Sequence, residues 1–228
     1  MINNRRLLVP FAAPFLAYVF IASALGDFMP IEMNYGLRIV ACVALLVWGW
    51  KWYMPMTGPK SVSGSVITGV VTGIIGLAVW IVLLTPFADA SEAEPWSGSA
   101  FMVRLLTAGL LVPVFEEIMM RGFVFRLALQ WWEARKRHDS DPLITALDDH
   151  SVNTVLPGAW SWPAVIISTV VFASGHNTYE WPASIGFGLL MTGLWIVRKD
   201  LISCIVAHGV TNITLAIYVV KTDSWFLW

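Results

Sequence analysis

The chain has 228 residues, of which 57% are hydrophobic and only 13% charged, about half the charged share of an ordinary soluble domain. Lys plus Arg number 14 against 15 Asp plus Glu, a net charge of −1, so no basic surface is available for a nucleic-acid backbone and that class of partner is excluded. At about 20 residues per membrane helix, the length is consumed by one all-α, polytopic transmembrane bundle of six to eight spans, which leaves no room for a separate catalytic domain.

The first apolar run, 7–26, follows Asn3-Asn4-Arg5-Arg6 and ends near Ala22-Ser23-Ala24. That arrangement resembles a signal peptide, but the run is longer than a usual signal core and is read as an uncleaved span. Further runs at 37–54, 65–87, 101–130, 163–178, 183–197 and 201–220 bring the expected number of spans to about seven. An N-terminus inside gathers Arg5, Arg6, Lys51, Lys60, Arg135, Lys136, Arg137, Arg198 and Lys199 on the cytoplasmic side, with Arg126 near it. The outer connectors then carry Asp27, Glu32, Asp89, Glu92, Glu94 and Glu180, with Arg38 and Lys221 as the main basic residues. The positive-inside rule therefore predicts N-in and C-out. Most of the 13 tryptophans, among them Trp48, Trp52, Trp131, Trp160 and Trp225, stand at the edges of apolar runs as an interfacial belt does. Cys42 and Cys204 lie within apolar runs, lack a C-x-x-C spacing, and read as packing residues.

In the third run Gly69, Gly73 and Gly76 recur at helical spacing, a face on which another helix can approach closely. The connector 131–162 mixes Arg135-Lys136-Arg137-His138-Asp139 with Asp148-Asp149-His150 and reads as a solvated loop. Residues 1–100 are expected to complete the bundle and wall a cavity, with the chemistry carried by 101–220 of a single domain, 1–228.

Ionisable side chains inside an apolar span cost on the order of 2.5–3.5 kcal/mol each near the bilayer centre, so they need a reason. The fourth run holds Glu116, Glu117 and Arg121 within six residues. Glu117 and Arg121 stand at i and i+4 and can pair over one helical turn. Glu116, turned about 100° away, has no counter-charge on its own helix. The fifth run ends in Phe172-Ala173-Ser174-Gly175-His176, and the seventh places His208 and Asn212 at i and i+4 on one face. An acid pair, an arginine, two histidines and an asparagine on three helices point to one polar cavity rather than to separate packing contacts.

Hydrolysis of a peptide bond needs an activated water and donors for the oxyanion. Glu116 would take the proton from water, His176 would fix that water, and His208 with Asn212 would donate to the oxyanion, while Arg121 would keep Glu117 ionised and hold the helix. Two histidines and a carboxylate also make a normal zinc set, but H-E-x-x-H is absent, and activation without a cofactor ranks first. Counted at about 1.5 Å per residue, Glu116 and His176 fall at different depths. A kink at Pro113, a tilted fourth helix or an earlier start of the fifth would reconcile them.

The E-E-x-x-x-R of Glu116, Glu117 and Arg121, the F-x-x-x-H of Phe172 and His176, and the H-x-x-x-N of His208 and Asn212 resemble, in that order, the motifs of the CPBP intramembrane proteases, which include the CAAX proteases. The resemblance covers about residues 100–228. It implies a Rce1-like glutamate endopeptidase with Glu116 as base, His176 on the water and His208 with Asn212 at the oxyanion. His176 with Glu180-Trp181, Ala207-His208 with Thr211-Asn212, Tyr218-Val219 and the Trp225–Trp228 end further resemble a bacterial subgroup of CAAX-protease-related proteins associated with exosortase and PEP-CTERM sorting. This implies a bacterial inner membrane and a membrane-associated peptide or protein substrate that is not itself a prenylated CAAX tail. Two other readings stay open. One is a rhomboid-like serine protease using Ser174 and His208. The other is a non-catalytic carrier, scaffold or immunity factor that uses the same polar cavity.

Overall fold

A computed structural model describes residues 2–53, 55–89 and 94–228. Among these the fold is all helical, and the expected apolar runs each become a helix: α1 (Asn4–Leu25), α2 (Ile31–Gly49), α3 (Val62–Leu84), α4 (Gly98–Lys136), α6 (Trp162–Ser174), α7 (Trp181–Arg198) and α8 (Leu201–Thr222). A short α5 (Pro142–Asp148) lies in the connector between α4 and α6. Helices α1 to α4 and α8 are long and apolar enough to cross a membrane, whereas α6 is shorter. The outward faces carry large apolar side chains such as Val9, Phe20, Val40, Val47, Ile67, Val71 and Val82. Such a surface is costly against water and suits lipid, where a helix has the advantage of satisfying most of its own backbone. The protein is a helical membrane bundle.

Local chemistry sets the helix starts. The side chains of Asn3, Ser61, Ser97, Asp141, Ser161 and Asp200 each accept a backbone N–H in the first turn that follows, satisfying donors that a helix start leaves open. The core combines Leu7 and Phe11 of α1, Cys42 of α2, Phe115, Ile118 and Phe123 of α4, Phe172 of α6, Phe187 of α7 and Cys204 of α8. Both cysteines are free and buried, as expected for packing residues.

The glycines of α3 give close approach to α8. A Cβ on Gly69 would meet the Ser203 carbonyl, and one on Gly73 would meet the Ala207 carbonyl at 2.6 Å, so only glycine lets the helices touch here. Thr211 of α8 uses this proximity to donate to the Gly73 carbonyl at 2.9 Å.

One end of the bundle gathers most of the basic residues. Arg5 grips Asp148, with Nε to Oδ1 at 2.6 Å, and this hydrogen bond holds the Asp148 carboxyl below the usual carboxylate range. At the same end Lys60 donates to the Val197 carbonyl and Arg198 to that of Ser61. At the other end Ser99 donates to Glu32, and Phe101 packs on Trp225 and Trp228. Of the acids assigned to that side, Glu92 lies outside the described residues.

The connector differs from expectation. Read as a solvated loop, it is instead sewn to the bundle: α4 continues to Lys136, α5 follows, and Ala134, Ala146 and Val152 are fully buried. Asn4, itself buried, causes this. Its amide donates to Gln130 Oε1 and to the Ala146 carbonyl, both at 2.7 Å, while its oxygen accepts the Val152 N–H. A mixed-charge sequence conceals such anchoring because one distant asparagine supplies it.

Candidate functional site

Helix α4 bears the acid pair, and it is not a regular α-helix. Thr107–Leu111 and Ile118–Val124 are wound as π-helix on either side of Val112–Glu117, a departure concentrated at functional sites in many proteins. Within the first stretch the Val112 N–H bonds to the Thr107 carbonyl, five residues back. The next donor in that register would be residue 113, which is proline and has no N–H. The Ala108 carbonyl is thereby left open, and Asn212 of α8 fills it, its Nδ2 donating at 2.7 Å. Helix α8 comes this near because residue 209 is glycine: a Cβ there would stand 2.6 Å from the Gly109 carbonyl.

Glu117 and Arg121 are 0% and 1% exposed, and the guanidinium meets the carboxylate at 3.1 Å. Arg121 also donates to the Gly188 carbonyl of α7 at 2.9 Å. His208 completes the arrangement, with Nδ1 3.0 Å from Glu117 Oε1. A carboxylate paired with arginine can only accept, so Nδ1 carries the hydrogen and Nε2 points the other way, 3.9 Å from Glu116 Oε2.

His176 stands just beyond the end of α6. Its Nδ1 lies 3.0 Å from the Phe172 carbonyl, which again can only accept, leaving Nε2 of the neutral ring as an acceptor. The ring packs between Phe172 and Trp80, with centroids 4.8 and 5.7 Å away. Position 172 thus fixes the histidine through both its carbonyl and its ring.

Glu116, His176, His208 and Asn212 line one cavity of about 180 Å³ that extends to Glu180 and Trp228 at the end away from the basic residues. Glu117 and Arg121 lie behind its wall, not in it. The depth mismatch expected between Glu116 and His176 disappears because α4 is 39 residues long, with Glu116 near its middle, while α6 stops at Ser174 and leaves His176 on the following turn. Ser174 does not line the cavity, and its hydroxyl donates to the Val171 carbonyl at 2.8 Å. Among the described residues, no three His, Cys, Asp or Glu side chains are grouped as a metal-binding set.

Trp80, Arg104 and Thr211 also line the cavity and were not anticipated. Trp80 carried a signal: unlike the belt tryptophans it sits inside an apolar run, and its indole N–H is buried without a partner. Arg104 likewise breaks an apolar run only a few residues from its start.

Neither a curated protein nor a solved structure matches the chain. Residues 98–214 match the family model described as type II CAAX prenyl endopeptidase Rce1-like. That match covers half of the chain and takes in the acid pair and both histidines, and the chain therefore belongs to the Rce1-like CAAX protease family, as an integral membrane protein of a peptidase fold.

Proposed function

We propose that the protein is an intramembrane endopeptidase that hydrolyses a peptide bond of a membrane-associated peptide or protein using a water activated by Glu116. The observation that carries this reading is that Glu116, His176 and His208, from three separate segments, face one cavity large enough for water and a peptide carbonyl. Glu116 accepts a proton from the water, which His176 holds through Nε2. The resulting hydroxide attacks the carbonyl carbon, and the oxyanion is held by His208 Nε2–H and by the second amide hydrogen of Asn212, the first being spent on Ala108. That role uses His208 as an imidazolium, with Glu117 accepting from Nδ1. Collapse of the intermediate breaks the C–N bond, and the proton on Glu116 passes to the departing amine. Glu117 and Arg121 touch no reacting atom and hold His208 in place. No metal takes part in this scheme.

The catalytic portion is assigned to 101–220 and the supporting spans to 1–100, from which Trp80 reaches the cavity. The bacterial inner membrane and the exosortase-associated subgroup belong to the same proposal and rest on the C-terminal sequence resemblance. The test is cleavage of a co-expressed membrane substrate by wild type and by Glu116→Gln. Loss of cleavage in a folded variant is expected, and equal cleavage by both would remove Glu116 from the reaction. Ser174→Ala should cut like wild type, because its hydroxyl is directed at its own helix.

A further inference from the structure

Arg104 sits on α4 twelve positions before Glu116, on the wall of the same cavity. Its guanidinium carbon lies 4.4 Å from the centre of the Trp96 ring and 4.7 Å from that of Trp228. Contact with two indoles orients a planar cation and strips part of its hydration. A ring contact of this kind takes none of the five guanidinium N–H groups as a conventional hydrogen bond. Among the described residues, the Arg104 side chain makes no hydrogen bond and no ion pair. Two other arginines of the cavity-bearing helix are spent differently, Arg121 on Glu117 and Gly188 and Arg126 on the Val152 carbonyl and the Trp195 ring, while Arg135, outside the cavity lining, meets the Trp131 ring alone at 5.8 Å. Of the two acids on the same cavity wall, Glu180 accepts the Asn177 N–H at 2.8 Å and Glu116 lies 3.9 Å from His208 Nε2.

A fixed, partly desolvated guanidinium with an open edge is a receptor for a planar anion, which it holds by two parallel hydrogen bonds. We propose that Arg104 is an anion subsite of the catalytic cavity that reads a carboxylate of the substrate peptide and so sets where the chain is cut. The proposal rests on the peptidase reading and adds a substrate class to it. Twelve helical residues span at most about 18 Å, and an extended peptide advances about 3.3 Å per residue. The carboxylate therefore stands within about five residues of the bond that is cut. A free C-terminus and an Asp or Glu side chain offer the same chemistry.

The experiment uses the full chain in nanodiscs and three palmitoylated, randomised octapeptide pools built only from uncharged residues. One pool ends in a free carboxylate, one in a carboxamide, and one is amidated but carries a fixed Asp near its end. Cleavage is followed by mass spectrometry of the new termini, and binding by fluorescence anisotropy of dansylated pools on the Glu116→Gln protein. Wild type should cut and bind at least one carboxylate pool tenfold or more better than the amidated neutral pool. Arg104→Gln should bring that ratio to within twofold, with the larger loss on the carboxylate pools, and Arg104→Lys should restore it only in part. Preference for the first pool alone assigns the C-terminus, and preference for the third assigns a side chain. Equal handling of all pools by wild type, or an equal loss on all pools in Arg104→Gln, overturns the subsite and leaves Arg104 as a tie between Trp96 and Trp228. Binding that discriminates without any cleavage would keep the subsite and sink the peptidase reading.

Discussion

Glu116 and Glu117 are neighbours in sequence with opposite surroundings. Glu117 is enclosed, paired with Arg121 and bonded to His208, whereas Glu116 reaches the cavity. Their substitutions should therefore fail in different ways. Glu116→Gln keeps shape and should leave the melting temperature near wild type while lowering kcat by about 10²-fold or more, the range of general-base loss. Arg121→Ala strands a buried carboxylate and should cost about 3–5 kcal/mol of stability, visible as loss of the folded, detergent-stable protein. Retained stability in Arg121→Ala would mean that the ion pair is not closed to water. Both acids, the arginine, the two histidines and Asn212 were legible in the sequence because charge in an apolar run is conspicuous. The tie of Asn212 to Ala108 was not, since it depends on a proline on another helix and on a hydrogen-bond register that no local pattern announces.

Helix existence followed from apolar runs, and the seven runs have seven helical counterparts. The internal winding of α4 did not follow, because π-turns keep the same composition as α-turns and alter only which carbonyl each N–H meets. The close contacts of α8 with α3 and α4 give a prediction at this scale. Gly209→Ala and Gly73→Ala each place a Cβ 2.6 Å from a backbone carbonyl and should destabilise by about 1–3 kcal/mol through overpacking. In Gly209→Ala activity should fall more than stability does, because α8 carries His208 and Asn212 toward α4. Thermal unfolding in detergent set beside kcat/KM separates the two effects, and parallel losses would reduce Gly209 to a packing residue.

Across the whole molecule, most of the lysines and arginines gather at the end closed by Asn4, the connector and the 198–201 turn. Reporter fusions should place the N-terminus on the cytoplasmic side and the C-terminus opposite. A cytoplasmic C-terminus would reverse the sidedness inferred from the lysines and arginines. Asn4→Ala removes partners from Gln130, Ala146 and Val152 at once. It should cost about 1–3 kcal/mol per buried group left unsatisfied and make the connector sensitive to protease, which limited proteolysis would detect. The sequence displayed the spans clearly because each is a local property of some twenty residues. It hid the packed connector, whose order depends on a side chain well over a hundred positions away.

The amide that mends the gap left by Pro113 has a mechanical consequence. Were α8 to swing away, the Ala108 carbonyl would lose this donor, at a net cost of about 0.5–1.5 kcal/mol, so His208 cannot drift from Glu116 without that penalty. An imperfection in one helix thus latches its neighbour, and the spacing between base and oxyanion donor is guarded by a bond that takes no part in the chemistry.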